Sequence, residues 1–175
     1  MLKFVRSSAA RAGQLFRGMA SSSNFEESPD GALKSAGIIT DDPRKVTDDK
    51  WKEILPAQVY EVTRQAGTEA PFTGKYDKFL KNGIYHCICC GTPLFSSDSK
   101  FDSGCGWPAF HTAEHEEERI VRITDPSIPG RPRVEVRCKK CNAHLGHVFD
   151  DGPKPTGERF CINSVCMAFA PKDKK

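Results

Sequence analysis

The stretch VEVRCKKCNAHLGHVF, residues 134–149, places a short apolar run on each side of two cysteines that are separated by two residues. The β-branched and apolar residues of both runs predict two short β-strands. The turn between them carries Cys138 and Cys141 as a C-x-x-C knuckle, a spacing typical of metal ligands. This stretch therefore predicts a β-hairpin whose tip binds a metal.

A second knuckle lies upstream in YHCICCG, where Cys87 and Cys90 have the same spacing. Two knuckles supply the four thiolates of a tetrahedral structural zinc site, one Zn²⁺ per chain. Because 47 residues separate the knuckles, the metal would clamp distant hairpins of one larger domain rather than fold a small finger. The ligands are therefore predicted to be Cys87, Cys90, Cys138 and Cys141.

Three other interpretations of these cysteines remain open. A C-x-x-C can be a redox pair, and two unrelated disulfides would use the same residues. The chain has eight cysteines and no secretory signal, which argues against a disulfide scaffold. His144 could also complete a C-x-x-C-x-x-H site. We expect Cys89, between the first two ligands, to be inert and exposed.

The rest of the chain predicts a mostly β fold of antiparallel sheets closed by the zinc site, with one or two short N-terminal helices. Thr47 is a candidate N-cap for a helix in VTDDKWKEIL, and a second helix follows from Pro56 to Gly67. Short strands are predicted in GIYHCICCG, RIVRITD, RPRVEVRC, AHLGHVF and ERFCINSVCMAF.

The N-terminal segment differs in composition from the remainder. Residues 1–24 carry Lys3, Arg6, Arg11 and Arg17, many serines and no acid, as in a mitochondrial presequence. We expect residues 1–40 to be a presequence or disordered and residues 41–175 to form the domain. The protein would be mitochondrial, and an internal start at Met19 would leave a cytosolic form.

Charge and hydropathy exclude two classes of partner. The net charge is +3, and the basic N-terminal segment supplies more than all of it, so the domain has no bulk attraction for nucleic acid. No apolar run approaches the roughly 20 residues that cross a bilayer, so we expect no membrane association. At 175 residues the chain is sized for one domain with a true core, and we expect a monomer.

Four cysteines remain outside the predicted zinc site, and Cys161 is the best nucleophile among them. If RFCIN is a strand, Arg159, Cys161 and Asn163 share one face. Arg159 would favour the thiolate, and Asn163 offers a donor to a developing oxyanion. We expect the histidines of HLGHVF to lie close by. The alternative is a buried strand cysteine beside a surface arginine.

Two further thiols differ in their setting. Cys105 lies between two glycines in FDSGCGWPAF, which predicts an accessible thiol on a mobile loop. Cys166 is five residues beyond Cys161 and would face the other side of a strand. We expect Cys166 to be buried, although a role as an alternative resolving thiol stays open.

Three long segments together resemble the methionine-R-sulfoxide reductase B family: YHCICCGTPLF, KFDSGCGWPAF and VRCKKCNAHLGHVFDDGPKPTGERFCINS. The resemblance covers about residues 48–170 in the right order. It implies that Cys161 attacks the sulfur of an R-configured methionine sulfoxide and becomes a sulfenic acid. Cys105 would then form a redox-active disulfide with Cys161, which thioredoxin would reduce. The implied function is repair of proteins oxidised under oxidative stress.

The resemblance also implies roles for the surrounding side chains. Trp107 would form an apolar wall for the substrate methyl group, although it could instead be a core aromatic, and Phe149 would pack the core or edge the pocket. His144 and His147 would hold the sulfoxide oxygen and assist its protonation. Asp151 and Arg159 would orient the imidazole and stabilise the thiolate, and Asn163 would hydrogen-bond within the pocket.

Three rival functions differ in the residues that they require. A non-catalytic zinc-binding module would need neither Cys105, Cys161 nor the paired histidines. Another thiol enzyme, such as a peroxidase or disulfide oxidoreductase, would place its redox motif at the start of a helix in a βαβ setting, which the sequence lacks. A reductase of free methionine sulfoxide would use the same residues, and the family resemblance favours peptide-bound substrates.

Overall fold

A computed structural model describes residue 25 and residues 27–172 of the chain. Short helices come first and strands follow. The α-helices are α1 Ala32–Ser35, α2 Asp48–Ile54, α3 Ala57–Gln65 and α4 Glu116–Arg119. The strands are β1 Gly83–Cys87, β2 Pro93–Ser96, β3 Lys100–Phe101, β4 Ala109–Phe110, β5 Ile120–Asp125, β6 Arg133–Cys138, β7 His144–Phe149, β8 Arg159–Ile162 and β9 Met167–Pro171. Single 3₁₀ turns span Pro43–Lys45, Ser97–Ser99 and Ser164–Cys166.

The strands of the described chain form two sheets, and every pair in them is antiparallel. The smaller sheet has the order β2-β1-β9, and the larger has the order β3-β4-β8-β7-β6-β5. The predicted fold class is confirmed: mostly β, with short helices on the N-terminal side. Strand β8 lies inside the larger sheet, where both of its edges are hydrogen-bonded to neighbours.

The two predicted helices are confirmed with their caps. The Thr47 side chain accepts a hydrogen bond from the Lys50 amide, and α2 begins at the next residue. Pro56 precedes the first residue of α3, where its missing N–H costs no hydrogen bond. Gly67 was predicted to end α3; the helix ends at Gln65, and its C-cap Ala66, which precedes Gly67, adopts the left-handed conformation.

All five predicted strand segments contain strands, and the last one contains two. The 3₁₀ turn Ser164–Cys166 divides ERFCINSVCMAF, so β8 belongs to the larger sheet and β9 to the smaller. Cys166 is therefore buried in a turn between the sheets, not on a continuous strand. Strands β2, β3 and β4 were not predicted, because segments of two to four residues show little alternation.

Aromatic side chains pack where the two sheets meet. The rings of Phe95 and Phe110 stack with centroids 4.5 Å apart, and Tyr85 and Phe160 pack edge-on or tilted against them. All four are fully buried. Since Phe160 fills this core from β8, the residues that alternate with it on β8 must face the other side of the sheet.

The packed part of the chain begins earlier than the predicted boundary at residue 41. The amides of Ala32 and Leu33 in α1 donate hydrogen bonds to the carbonyl groups of Ile88 and Cys89, and the side chains of Ala32 and Leu33 are buried. Gly31 lies against the backbone of Cys90, where a Cβ would come within 2.4 Å of the Gly91 nitrogen. The predicted presequence, residues 1–24, and the internal start at Met19 lie outside the described residues.

Within residue 25 and residues 27–172, none of the helices combines the length and the apolar character needed to cross a membrane.

Candidate active site and metal centre

Strand β8 presents Cys161 on the face of the sheet opposite the aromatic core. Its backbone pairs Cys161 with Ala109 on β4 and with His147 on β7. Phe160 and Ile162 are fully buried, whereas Arg159 and Cys161 are partly exposed. The predicted alternation along RFCI is therefore confirmed, and it places the thiol on a strand that neighbours hold on both sides.

A glycine loop brings a second thiol to the first. Gly104 and Gly106 have φ angles of 71° and 93°, a region that glycine enters at little cost, and Cys105 lies between them. The Sγ atoms of Cys105 and Cys161 are 3.5 Å apart, close to van der Waals contact. Ser103 Oγ donates a hydrogen bond to the sulfur of Cys105 at 2.9 Å. The loop thus holds a partly exposed thiol in reach of the strand thiol.

The two thiols share one negative charge. A hydrogen bond from Cys161 lowers the pKa of Cys105 to about 5, against the opposing effect of burial. The same contact with Cys105, and then burial, raise the pKa of Cys161, while Arg159 lowers it. We expected Arg159 to make Cys161 the thiolate; its effect has the predicted sign, but the neighbouring thiol outweighs it. These opposite shifts favour the negative charge on Cys105.

Arg159 is held by an acid and an aromatic ring. Its Nε and Nη2 atoms donate to the two carboxylate oxygens of Asp151, both at 2.8 Å. The guanidinium carbon lies 4.4 Å from the centre of the Phe149 ring. Asp151 therefore fixes the cation beside the thiol pair and does not contact either histidine, contrary to the prediction that it orients an imidazole.

Two other carboxylates, neither of them predicted, hold the histidines. His147 Nε2 is 2.8 Å from Asp125 Oδ2, and His144 Nδ1 is 2.6 Å from Glu135 Oε1. The two rings meet edge to face with their centres 5.6 Å apart. Asp125 ends β5 and Glu135 lies within β6, so both acids come from the β5–β6 hairpin, whose strand β6 pairs directly with β7.

The two histidines differ in their access to solvent. His147 forms part of a pocket wall, whereas His144 is 2% exposed and does not line that pocket. Burial lowers the pKa of His144, although Glu135 opposes the shift. Its Nε2 is buried without a hydrogen-bond partner in the described part of the chain. Only His147 can therefore contact a ligand in the pocket directly.

An open pocket of about 100 Å³ lies over Cys161. This is the share of liquid volume taken by roughly three waters, enough for a small group at the end of a side chain. Its walls combine aromatic rings with polar side chains: Thr68, Trp107, Arg133, Gly146, His147, Phe149, Cys161 and Asn163. Five of the candidate residues therefore line one cavity, Cys105 and Arg159 adjoin its thiol, and Arg133 joins them without having been predicted.

One buried glutamate organises the wall opposite the histidine. The carbonyl of Glu69 accepts a hydrogen bond from Trp107 Nε1 at 3.1 Å, and its amide donates to Asn163 Oδ1 at 3.1 Å. Its carboxylate accepts from the amides of Ser164 and Val165 at 2.6 and 3.1 Å. Burial raises the pKa of Glu69, and these hydrogen bonds oppose the rise.

Asn163 is tied to the main chain at both ends of its amide. Its Nδ2 donates to the Leu145 carbonyl at 2.9 Å, while Oδ1 accepts from Glu69. The side chain is 3% exposed. One of its N–H groups and its oxygen thus join β7, β8 and the loop that holds Trp107. Asn163 also lines the pocket, and donation from its second N–H to the reacting oxygen stays a prediction.

A four-cysteine cluster lies away from this pocket, at the tips of two hairpins. The Sγ atoms of Cys87, Cys90, Cys138 and Cys141 lie within 4.8 Å of one another. Two of the Sγ–Sγ distances, Cys87–Cys141 and Cys90–Cys138, are 3.6 Å. Zn–S bonds of about 2.3 Å at tetrahedral angles place sulfurs about 3.8 Å apart, so the donor set fits such a metal ion.

The two remaining cysteines are both buried. Cys166 is fully buried, as predicted, and its thiol donates to the His144 carbonyl at 3.2 Å. Cys89 was expected to be exposed, and this was wrong: its side chain is fully buried. The Leu33 amide of α1 donates a hydrogen bond to the Cys89 carbonyl, so α1 covers the backbone of this residue.

The fold and the site together define the class of protein. A nucleophile candidate in an open pocket, with a second thiol 3.5 Å away and a separate four-cysteine cluster, is the arrangement of a thiol-dependent oxidoreductase. Comparison with known proteins narrows this class. The SelR domain family matches residues 55–171.

Two relatives illustrate the similarity. A protein of Caenorhabditis elegans, described as probable methionine-R-sulfoxide reductase B, is 55% identical over 77% of this chain and 89% of its own length. The peptide methionine sulfoxide reductase MsrB of Pseudomonas syringae pv. syringae (strain B728a) is 55% identical over 75% of this chain and 98% of its own. The chain belongs to the methionine-R-sulfoxide reductase B family.

Proposed function

We propose that this protein reduces R-configured methionine sulfoxide in oxidised proteins to methionine. The observation that carries the proposal is the geometry of the thiol pair: Cys161 opens into the pocket, and the sulfur of Cys105 lies 3.5 Å behind it. The names of the relatives supply the substrate and its R configuration. A non-catalytic metal-binding module would require neither the pocket nor the pair.

The reaction begins with a proton shift within the pair. The Cys161 proton moves to Cys105 across their contact, and Arg159 stabilises the thiolate that forms on Cys161. This thiolate attacks the sulfoxide sulfur while the sulfoxide oxygen takes up a proton. Methionine leaves, and Cys161 retains the oxygen as a sulfenic acid.

The second stage uses Cys105. Its thiolate attacks the sulfur of the Cys161 sulfenic acid, and the hydroxyl departs as water after gaining a proton. The product is a Cys105–Cys161 disulfide. A dithiol protein such as thioredoxin then returns two electrons by thiol–disulfide exchange and restores both thiols.

Different residues of the pocket bind the methyl group and the oxygen of the sulfoxide. The rings of Trp107 and Phe149 offer apolar surface to the methyl group, and Glu69 fixes the tryptophan through its indole N–H. In this proposal His147 holds and protonates the oxygen; the His144 ring, which packs edge to face against it, supports the proposal. Asn163 contributes by holding two walls together.

For the four-cysteine cluster we propose one structural zinc ion. The four thiol groups, three of them buried, match the all-sulfur donor set that Zn²⁺ prefers in structural sites. When bound, the ion would join the β1–β2 turn to the β6–β7 turn, adding folding free energy. We further propose that residues 1–24 direct the protein to mitochondria, which a fusion of this segment to a fluorescent protein would test.

The decisive experiment is a single turnover without reductant. The reduced protein is mixed with the separate R and S sulfoxide diastereomers of an amide-blocked methionine and, in parallel, of free methionine. We expect about one equivalent of methionine per chain from the blocked R form, with a Cys105–Cys161 link found by peptide mapping. Release from the S form, or none from either, would contradict the proposal. Faster reduction of the free amino acid would reassign the substrate class.

A further inference from the structure

Two side chains of the β5–β6 hairpin stand behind the pocket histidine. Asp125 and Arg133 face each other across the hairpin as backbone partners. Asp125 Oδ2 lies 2.8 Å from His147 Nε2 and 2.7 Å from Arg133 Nη2. The Ser127 amide donates to the other carboxylate oxygen at 3.0 Å. The acid is thus held by the hairpin turn and the arginine, and it holds the histidine in turn.

This contact decides which nitrogen of His147 meets a ligand. Because Nε2 is directed at Asp125, Nδ1 is the ring nitrogen left for the pocket. Nδ1 has no hydrogen-bond partner among the described residues and is not among their buried unsatisfied atoms. In a neutral ring with its proton on Nε2, Nδ1 carries a lone pair and repels the sulfoxide oxygen. Only the imidazolium form can donate a proton from Nδ1.

One anion lies in direct contact with the ring. The carboxylate of Asp125 touches the His147 ring, and the Arg133 guanidinium touches that same carboxylate. The remaining titratable neighbours are the His144 ring at 5.6 Å and Cys161, the backbone partner of His147 on β8. Asp125 is therefore the fixed anion that the protonated ring needs.

We propose that Asp125 and Arg133 are positioning residues for His147: Asp125 holds the imidazolium with Nδ1–H toward the sulfoxide oxygen, and Arg133 fixes Asp125. The inference rests on the proposed function. The proton leaves Nδ1 for the departing oxygen, which ends as water after the second stage, and solvent returns a proton to the ring. Electrons flow only between the thiols and the sulfoxide, so no further reactant is needed.

The hairpin repeats this arrangement at a second histidine. Glu135 Oε1 accepts hydrogen bonds from His144 Nδ1 and from Arg137 Nε, at 2.6 and 2.7 Å. This series of hydrogen bonds ends at the His144 ring, which is buried and does not line the pocket. The difference in access is what assigns the chemical step to Asp125 and His147 rather than to Glu135 and His144.

The test measures the single-turnover rate constant and the half-saturating substrate concentration of the reduced, full-length protein with a peptide R-sulfoxide. Asp125→Asn keeps the shape and an acceptor oxygen but removes the charge. We expect its rate constant to fall about a hundredfold, the scale of lost general acid catalysis, with half-saturation little changed. Asp125→Glu should recover part of the rate. Asp98→Asn, a surface acid paired with Lys172, is the matched control and should equal the parent.

Two further readouts separate positioning from a structural role. Nitrogen NMR of the His147 ring should show a larger imidazolium fraction in the parent than in Asp125→Asn at the same pH. Arg133→Gln should lose less rate than Asp125→Asn, and the double variant should be no worse than Asp125→Asn alone, because the arginine acts through the acid. Arg133→Lys serves if Asp125→Asn fails to fold, and it should retain most of the rate lost in Arg133→Gln.

Three results would overturn the inference. They are a parental rate constant in Asp125→Asn, a change confined to half-saturation, and an unchanged His147 spectrum. The failure of the proposed function looks different: the parent would then release no methionine. If the parent is active and His147→Asn keeps the full rate, the histidine has no acid role and the inference about Asp125 falls with it.

Discussion

The four-cysteine cluster and the Cys105–Cys161 pair differ in what holds their sulfur atoms. Each knuckle of the cluster is closed by backbone hydrogen bonds, such as Cys87 N to the Thr92 carbonyl at 2.7 Å and Asn142 N to the Cys138 carbonyl at 2.8 Å. The pair joins a residue on an internal strand to a residue on a loop between two positive-φ glycines.

This difference explains why one side-chain type serves two purposes. Four thiols fixed at turn tips, most of them buried, can share a metal ion and have no route to a substrate. Two partly exposed thiols beside an arginine can ionise, react and approach each other. The surroundings, and not the cysteine itself, separate the structural site from the reactive one.

The largest expected effect is loss of the fold when the cluster is broken. The Cys138→Ser protein should already be unfolded at room temperature and should show no cooperative transition when it is heated. Binding of structural zinc contributes on the order of 10 kcal/mol, as much as the whole stability of a typical domain. Cys89→Ala, at a buried cysteine outside the four, is the control and should still unfold cooperatively. A Cys138→Ser protein that melts within about 5 °C of the parent would contradict the structural role.

Removal of the pocket thiol should abolish activity and leave the fold intact. Cys161→Ser replaces a nucleophile with a hydroxyl that stays protonated, so we expect no methionine from the R-sulfoxide above the uncatalysed background. The measurement is methionine release by chromatography, with the thermal midpoint as a check on folding. Residual release at a tenth of the parent's rate would mean that another thiol, such as Cys105, initiates the reaction.

Removal of the loop thiol should stop the cycle and not the first step. Cys105→Ser should yield about one equivalent of methionine and a sulfenic acid on Cys161, and then stall when thioredoxin is the reductant. A trapping reagent for sulfenic acids and mass spectrometry would locate the product. Continued turnover with thioredoxin would show that Cys105 is not required for recycling.

A smaller effect concerns acidity. Because the pKa of Cys105 is lowered to about 5, its thiolate is present at neutral pH and disappears as the pH falls through about 5. Any stability linked to this thiolate is likewise present above the pKa of the unfolded thiol and lost through that acidic range. Iodoacetamide should label Cys105 at pH 6 and label it much more slowly at pH 4. In Cys161→Ala the rise in the rate of Cys105 labelling should occur at a higher pH. If that pH does not change, the two thiols do not share a charge.

The smallest effect is expected at Cys166. Cys166→Ala removes one weak hydrogen bond to the His144 carbonyl and leaves a small cavity, so about 1–2 kcal/mol of stability should be lost. Thioredoxin-dependent turnover should equal that of the parent. Turnover that fails in this variant would revive Cys166 as a resolving thiol.

Local patterns predicted the parts of this molecule that short-range physics decides. The Thr47 cap, the alternation along β8 and the spacing of the knuckles each involve neighbouring residues, and each prediction was confirmed at the level of structure. The acids at the site could not be found in this way. Glu69 meets Asn163 across 94 positions and His147 meets Asp125 across 22, so these partners depend on the tertiary fold.

Local sequence does not indicate the partners of two acids at the site. The family resemblance assigned Asp151 to orient an imidazole, but its carboxylate binds Arg159 on the neighbouring strand. Glu135 alternates with valines in RVEVRC and should face solvent on an amphipathic strand, yet it is 8% exposed because His144 and Arg137 cover it. A hydropathy pattern cannot indicate that a charged residue is buried in an ion pair.

The glycine loop has a consequence for recognition. A disulfide requires the two sulfurs to close from 3.5 Å to about 2 Å. Strand β8 is held on both edges, so residues 103–107 must supply that movement. The conformation of this surface loop would therefore differ between the reduced and the oxidised protein. A reductant whose binding surface is complementary to the loop in the disulfide form would bind the oxidised protein in preference to the reduced protein.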